Sequence, residues 1–138
     1  MLKVESFGII PFKKDADGVF CVLLILHSKG RHWGFPKGKP NPSETPLQSA
    51  KRELKEETGL DVVKLLKEQP LCEHYRFMHR RTPIFKTVSY FPALVEGDLQ
   101  LQVEEIRDAR WLSCEEAMQL LTYKEARHIL SQSYALLR

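Results

Sequence analysis

The sequence predicts an α/β protein in which helices pack on the faces of a mixed sheet. Three observations carry that prediction. Short apolar or alternating runs, separated by turn residues, fill most of the chain up to Leu112, which is how strands read. One capped, amphipathic segment interrupts them between Thr45 and Gly59 and reads as a helix. Two more capped segments then close the chain. That order leaves a sheet to be covered by helices.

Residues 4–12 form the first predicted strand, Asp15-Ala16-Asp17-Gly18 a turn, and residues 19–26 the returning strand of a hairpin. This second strand is the longest apolar run and is too short to span a bilayer, so no membrane contact is expected. Ser28-Lys29-Gly30-Arg31 is a loop, and Trp33-Gly34-Phe35 is briefly extended ahead of Pro36. A loop rich in Pro and Gly, residues 37–44, leads into the helix. There Thr45 is the N-cap, Pro46 fits the first helical position, Gln48 completes a capping box and Gly59 supplies a left-handed C-cap. Leu47, Ala50 and Leu54 make its apolar stripe. Residues 62–66, 71–77 and 84–95 are strand candidates. Residues 99–103 alternate at period two, as a strand does, and residues 109–112 read as a short final strand. Ser113 with Glu116, and Thr122 with Glu125, make two further capping boxes. Ala117, Leu120 and Leu121 face the core from one helix; Ile129, Leu130, Ser133, Leu136 and Leu137 do so from the other.

With 138 residues, 43% of them hydrophobic and 28% charged, residues 1–138 are expected to form one domain. Cys21, Cys72 and Cys114 are odd in number and lack metal-type spacing, which points to a reducing cytoplasm. No signal segment is expected, because the N-terminus runs straight into alternating Lys3, Val4, Glu5, Ser6 and Phe7. The net charge of +3 says little alone, but its distribution is informative. Lys29, Arg31, His32, Lys37 and Lys39 precede the first helix, and Arg76, His79, Arg80, Arg81 and Lys86 form a second cluster. Together they suit a polyanionic ligand.

Within the first helix Glu53, Glu56 and Glu57 are spaced i, i+3 and i+4 and project from one side. Like charges so close repel, and a hard divalent cation relieves that repulsion while accepting phosphate oxygens as further ligands. Gly38, Glu44, Arg52-Glu53-Leu54, Glu56-Glu57 and Gly59-Leu60 fill every fixed position of the pattern G-x5-E-x7-R-E-U-x-E-E-x-G-U, where U is apolar. A chance match in such a chain is on the order of one in ten million. The pattern resembles the Nudix box. That resemblance implies an α/β/α sandwich around a mixed sheet and a phosphoanhydride hydrolase needing magnesium, with manganese as the alternative.

It also implies roles. Glu53, Glu56 and Glu57 would hold the metal, joined by the Gly38 carbonyl, and Glu56 or Glu57 would take the proton of the attacking water. Carboxylates this close titrate as a unit, so the two stay open. Arg52 would orient a carboxylate, with Glu44 its candidate partner. His32-Trp33-Gly34-Phe35-Pro36-Lys37-Gly38, Lys86-Thr87-Val88-Ser89-Tyr90-Phe91, Glu105 with Arg110-Trp111-Leu112, and Tyr123-Lys124-Glu125 resemble asymmetrical diadenosine tetraphosphate hydrolases. On that likeness His32, Lys37 and Lys86 bind the phosphate chain, Glu105 approaches the metal, and Tyr123 stacks on an adenine. Either Tyr75 or Phe77 would stack on the other. The chain departs from that group at Lys39, where His is usual, and at Ser43, where Gly is. His27, His74 and His128 have no evident partner in the sequence. The implied protein is a monomer that cleaves diadenosine tetraphosphate to ATP and AMP. The alternatives are removal of pyrophosphate from RNA 5′ ends or hydrolysis of another nucleoside polyphosphate, and a non-catalytic nucleotide-binding sensor.

Overall fold

The structure is a computed structural model and describes residues 1–137; Arg138, the last residue of the expected domain, lies outside the described residues. Strand β1 (Leu2–Lys14) turns back into β2 (Phe20–His27), and two short strands follow, β3 (Trp33–Gly34) and β4 (Lys37–Gly38). Helix α1 (Pro46–Thr58) leads to β5 (Asp61–Leu65), β6 (Leu71–His79), β7 (Thr82–Glu96) and β8 (Ile106–Leu112), and α2 (Cys114–Leu120) and α3 (Lys124–Ala135) close the chain.

The sheet has eight strands along the path β3-β2-β1-β7-β5, with β4 beside β1, β6 beside β7 and β8 beside β2. It is mixed because β1 and β7 run parallel, from Leu2 opposite Ile84 to Phe12 opposite Leu94. The hairpin partners β1 and β2 stay paired only near their turn, from Phe12 and Val22 to Lys14 and Phe20. Beyond it they part, and β2 takes up β3 on the edge that β1 leaves, while β8 runs along its other edge. The edge of β1 that β2 leaves is taken by β4, with Phe7 opposite Gly38 and Gly8 opposite Lys37, while β7 lines the other edge. This parting of β1 from β2 puts the segment from Trp33 to Gly38 into the sheet.

Both faces of the sheet are covered, which explains why its central strands read as apolar runs. Ile10, Phe12, Val22, Leu24, Val88 and Tyr90 point to α2 and α3, where Ala117, Leu121, Ala126, Ile129 and Leu130 meet them. Their strand neighbours Phe7, Ile9, Leu23, Ile25, Phe91 and Ala93 point to Ala50 and Leu54 of α1. A fully buried leucine such as Leu54 contributes about 2–3 kcal/mol. The architecture is the expected α/β/α sandwich. No helix among the described residues is long and apolar enough to cross a membrane.

Several expectations fail. Leu136, expected on the core face of the last helix, lies past its end at Ala135 and is exposed, and Lys37-Gly38, expected in a loop, pairs with β1 as β4. Residues 99–103 are a loop, not a strand: the Gln100 and Gln102 amides donate to the Thr58 and Glu57 carbonyls at 2.8 and 3.2 Å. They satisfy the open C-terminal end of α1 rather than a strand neighbour. Nor do Thr122 and Glu125 make a capping box. The N-cap of α3 is Tyr123, without a side-chain bond, and the Thr122 hydroxyl accepts from the Trp33 amide at 2.9 Å. That bond ties the α2–α3 corner to β3 and leaves Glu125 uncommitted to the cap.

Candidate active site

Helix α1 begins and ends as its sequence dictates. Thr45 and Gln48 form the reciprocal box, Pro46 opens the helix, and Gly59 caps it at φ 80°. Arg52 gathers the surrounding carboxylates. Its Nε and NH2 donate to the two Glu44 oxygens at 2.7 and 3.1 Å, NH1 donates to Glu53 at 2.8 Å and to Glu56 at 3.2 Å, and NH2 also reaches the Lys39 carbonyl at 2.8 Å. The two-oxygen grip on Glu44 is geometry that a guanidinium supplies and an ammonium does not. These bonds, with those from the Asn41 amide and the Ser49 hydroxyl, hold Glu44 down to about 2.

Gly38 lies directly against the Glu53 carboxylate; a Cβ at position 38 would overlap it. Only glycine permits that approach. One turn further along α1, Glu57 is 3% exposed, and its Oε1 accepts from the Lys37 amide at 3.1 Å. Burial and then the Glu53 charge push Glu57 up to about 8. Burial is also the main force raising Glu53. Glu56 is half exposed. Glu105 arrives from the loop before β8, its carbonyl accepting from the Ser28 amide at 2.8 Å, and lines the same cleft as Glu53 and Glu57.

No three His, Cys, Asp or Glu side chains among the described residues are gathered tightly enough to hold an ion as they stand. Arg52 accounts for part of this, since its NH1 draws both Glu53 and Glu56. The donor set nonetheless fits a hard divalent cation. It consists of carboxylates and a glycine carbonyl, and the two most buried carboxylates are displaced toward the protonated form, which a nearby positive charge would reverse.

The cleft over these carboxylates, about 640 Å³, is also lined by His27, Lys29, His32, Lys37, Lys39 and Lys86. Burial and the neighbouring Lys86 bring Lys37 down to about 8. Burial and Lys37 depress both histidines, His27 to about 3 and His32 to about 4, so both are neutral at pH 7. His27 stacks on His32 with ring centroids 4.5 Å apart, and its Nε2 bonds the Phe35 carbonyl at 3.2 Å. Of the second basic cluster, Lys86 alone reaches the cleft; Arg76 lies over the Phe85 ring, and Arg80 and Arg81 form the β6–β7 turn with φ 47° and 67°.

A second cavity of about 350 Å³ shares His32, Lys37 and Lys86 with the cleft and continues it. Its walls are aromatic: Trp33, Tyr75, Phe77, Tyr90 and Tyr123. Tyr123 packs against His32 at 5.4 Å and edge-on to Tyr75 at 6.5 Å. Tyr75 and Phe77 thus share a cavity, but Tyr75 is held by its hydroxyl, which donates to Glu73 at 2.5 Å, whereas Phe77 is 46% exposed. Glu73 and Glu125 line the same cavity.

Sequence reasoning passed over His27, Glu73 and Glu125. A signal existed for Glu73: Leu71, Glu73 and Tyr75 alternate along β6, so a carboxylate was due on the inward face. His27 carried none, since its stacking depends on how β2 meets the loop before β3.

The family model described as NUDIX domain matches residues 2–133. The chain is 34% identical over 144 residues to the asymmetrical bis(5′-nucleosyl)-tetraphosphatase of Rattus norvegicus, covering 99% of this chain and 97% of that protein. The crystal structure of the C. elegans Ap4A hydrolase superposes with a TM-score of 0.75 at 28% identity, covering 100% of both chains. The C. elegans m7GpppN-mRNA hydrolase dcap-2 is 45% identical over 58 residues, which are 42% of this chain and 7% of that protein.

Proposed function

The chain belongs to the NUDIX family, and on that premise we propose that it is an asymmetrical bis(5′-nucleosyl)-tetraphosphatase, converting diadenosine tetraphosphate and water to ATP and AMP. The observation that carries this reading is the continuity of two cavities, a carboxylate cleft and an aromatic pocket joined by His32, Lys37 and Lys86. A nucleotide needs both, one for its phosphates and one for its base. The likeness to dinucleoside tetraphosphatases along the whole chain supports it.

Magnesium, or manganese in its stead, would be held by Glu53, Glu56, Glu57, Glu105 and the Gly38 carbonyl, and when bound supplies charge neutralisation at the phosphate oxygens. The protein's own residues do the rest. Glu56 or Glu57 takes the proton of the water that attacks phosphorus as the anhydride bond breaks. Arg52, braced on Glu44, keeps Glu53 and Glu56 in position. Lys37, Lys86 and His32 hold the phosphate chain. Tyr123, with Tyr75 as its partner across the pocket, stacks on an adenine. We read the protein as a single-domain monomer acting in the cytoplasm.

RNA 5′-pyrophosphate removal is the second reading. The likeness to dcap-2 favours it but is limited to 58 residues. The intact Glu53, Glu56 and Glu57 weigh against a sensor without catalysis. A panel of diadenosine tetraphosphate, nucleoside triphosphates, ADP-ribose and 5′-triphosphate RNA, with products identified, tests the assignment. ATP with AMP from the dinucleotide is expected, and a strong preference for RNA would overturn it. On this reading Tyr123→Ala impairs the dinucleotide about 5-fold or more beyond its effect on adenosine tetraphosphate, and Tyr123→Phe is nearly silent.

A further inference from the structure

Most of the second basic cluster stays outside the cleft, and the sheet shows where it stands. Helix α1 covers one face of the sheet from Phe7 of β1 and Phe91 of β7 onward. Below that point the same face is open. Strand pairing sets Arg76, Phe85 and Lys3 in one row across β6, β7 and β1, and His74, Thr87 and Glu5 in the next. Alternate residues of a strand share a face, so both rows lie on the side that α1 occupies higher up.

Lys3, His74 and Arg76 are exposed and Phe85 is half-buried. The His74 ring lies parallel to that of Phe85, with centroids 5.8 Å apart, and the Arg76 guanidinium stands 5.2 Å over the Phe85 ring. Planar groups and positive charge thus alternate across two strand spacings, about 10 Å. Arg80 and Arg81, at the β6–β7 turn, carry the charge beyond the sheet. A shallow depression of about 690 Å³ lies on this face, and its walls include Lys3, Glu5, Lys39, Pro40 and Phe85. Glu5 is its acidic residue, set against two lysines. Lys39 and Pro40 also line the carboxylate cleft, so the depression opens into it.

A chain that carries phosphates and flat bases in alternation matches such a surface: the cations follow its backbone and the planar groups take its bases. We propose that this open face binds single-stranded RNA, the strand entering the cleft by its 5′ end past Lys39 and Pro40 and lying over Phe85, His74 and Arg76. The face touches nucleotides downstream of the phosphates in the cleft. Its binding is therefore separate from the choice of compound that the cleft cleaves.

The test is fluorescence anisotropy of a 3′-labelled oligoadenylate of about ten nucleotides, in metal-free buffer so that nothing is cleaved. Two forms are compared, one with a 5′-hydroxyl and one with a 5′-triphosphate. Both should bind wild type, the triphosphate form about 5-fold or more tightly because its end reaches the cleft. Phe85→Leu keeps an apolar side chain but removes the ring, and should weaken binding of the hydroxyl form about 5-fold or more. Lys3→Gln and Arg76→Gln should each weaken it about 3-fold and lower its salt slope by about 0.7. All three variants should hydrolyse diadenosine tetraphosphate within about 2-fold of wild type, which separates loss of RNA from loss of fold. No binding of the hydroxyl form at physiological salt would overturn the proposal, as would variants that bind it like wild type or equal affinity for the two forms. Vesicles of phosphatidylglycerol and phosphatidylcholine serve as the rival probe. Binding to vesicles that the same variants abolish, with RNA binding untouched, would assign the face to a lipid surface and overturn the proposal as well.

Discussion

Glu57 concentrates the electrostatic tension of the site. It is nearly buried, pushed up to about 8 by burial and by Glu53, and held through one oxygen by the Lys37 amide. Glu57→Gln keeps its shape and removes a repelled charge. Turnover with magnesium should fall about 100-fold or more, while the melting temperature in metal-free buffer holds or rises. Near-normal turnover would exclude Glu57 from the mechanism. Glu44 is the opposite case, a carboxylate stabilised in its charged form. Its folded value is depressed, so the stability it contributes is present above the unfolded value of about 4.5 and is lost as pH falls toward 2. Urea midpoints of wild type and Glu44→Gln should therefore differ at neutral pH and converge across that acid range. A gap that persists in acid would detach Glu44 from the Arg52 network.

At the level of elements, the loop into α1 holds a strained residue. Asn41 to Glu44 is a turn closed by the Glu44 amide on the Asn41 carbonyl at 3.2 Å, with Pro42 second and Ser43 third at φ 72°. That third position favours glycine, so Ser43→Gly should raise stability by up to about 1 kcal/mol, read as a higher melting temperature with activity retained. An unchanged or lower melting temperature would mean the serine is not strained there. Local chemistry of this kind made the elements legible: caps, turns and the α1 stripe stood at the residues that form them. The misread elements are those whose backbone answers to something distant. Residues 99–103 alternate like a strand, yet their amides are spent on the end of α1. Thr122 stands three residues before a glutamate, as a capping box requires, yet its hydroxyl serves Trp33. The carboxylate helix was readable because its residues are contiguous. The aromatic cavity was only partly so, because its lining is scattered over β3, β4, β6, β7 and the start of α3, far apart in the chain.

Over the whole molecule, the modest net charge conceals a polarised cleft, with carboxylates of α1 on one side and Lys29, Lys37, Lys39 and Lys86 facing them. Lys37→Met and Lys86→Met should each lower catalytic efficiency about 10-fold or more with little change in melting temperature. The deficit should shrink as salt is added, because part of it is long-range attraction. A deficit independent of salt, or equal for a substrate with one phosphate, would count against both lysines. The parallel pairing of β1 and β7 has another consequence, in time. During synthesis residues 2–12 emerge first, but their parallel partner at residues 84–94 is made much later. Until then Phe7, Ile9 and Ile10 lack the strand that flanks them along their whole length, a state prone to association with other chains. Closing so long a loop is slow, so refolding should be limited by this one docking step. Because β4 and α1 are seated against β1, the carboxylate cleft would acquire its shape only once that step is complete.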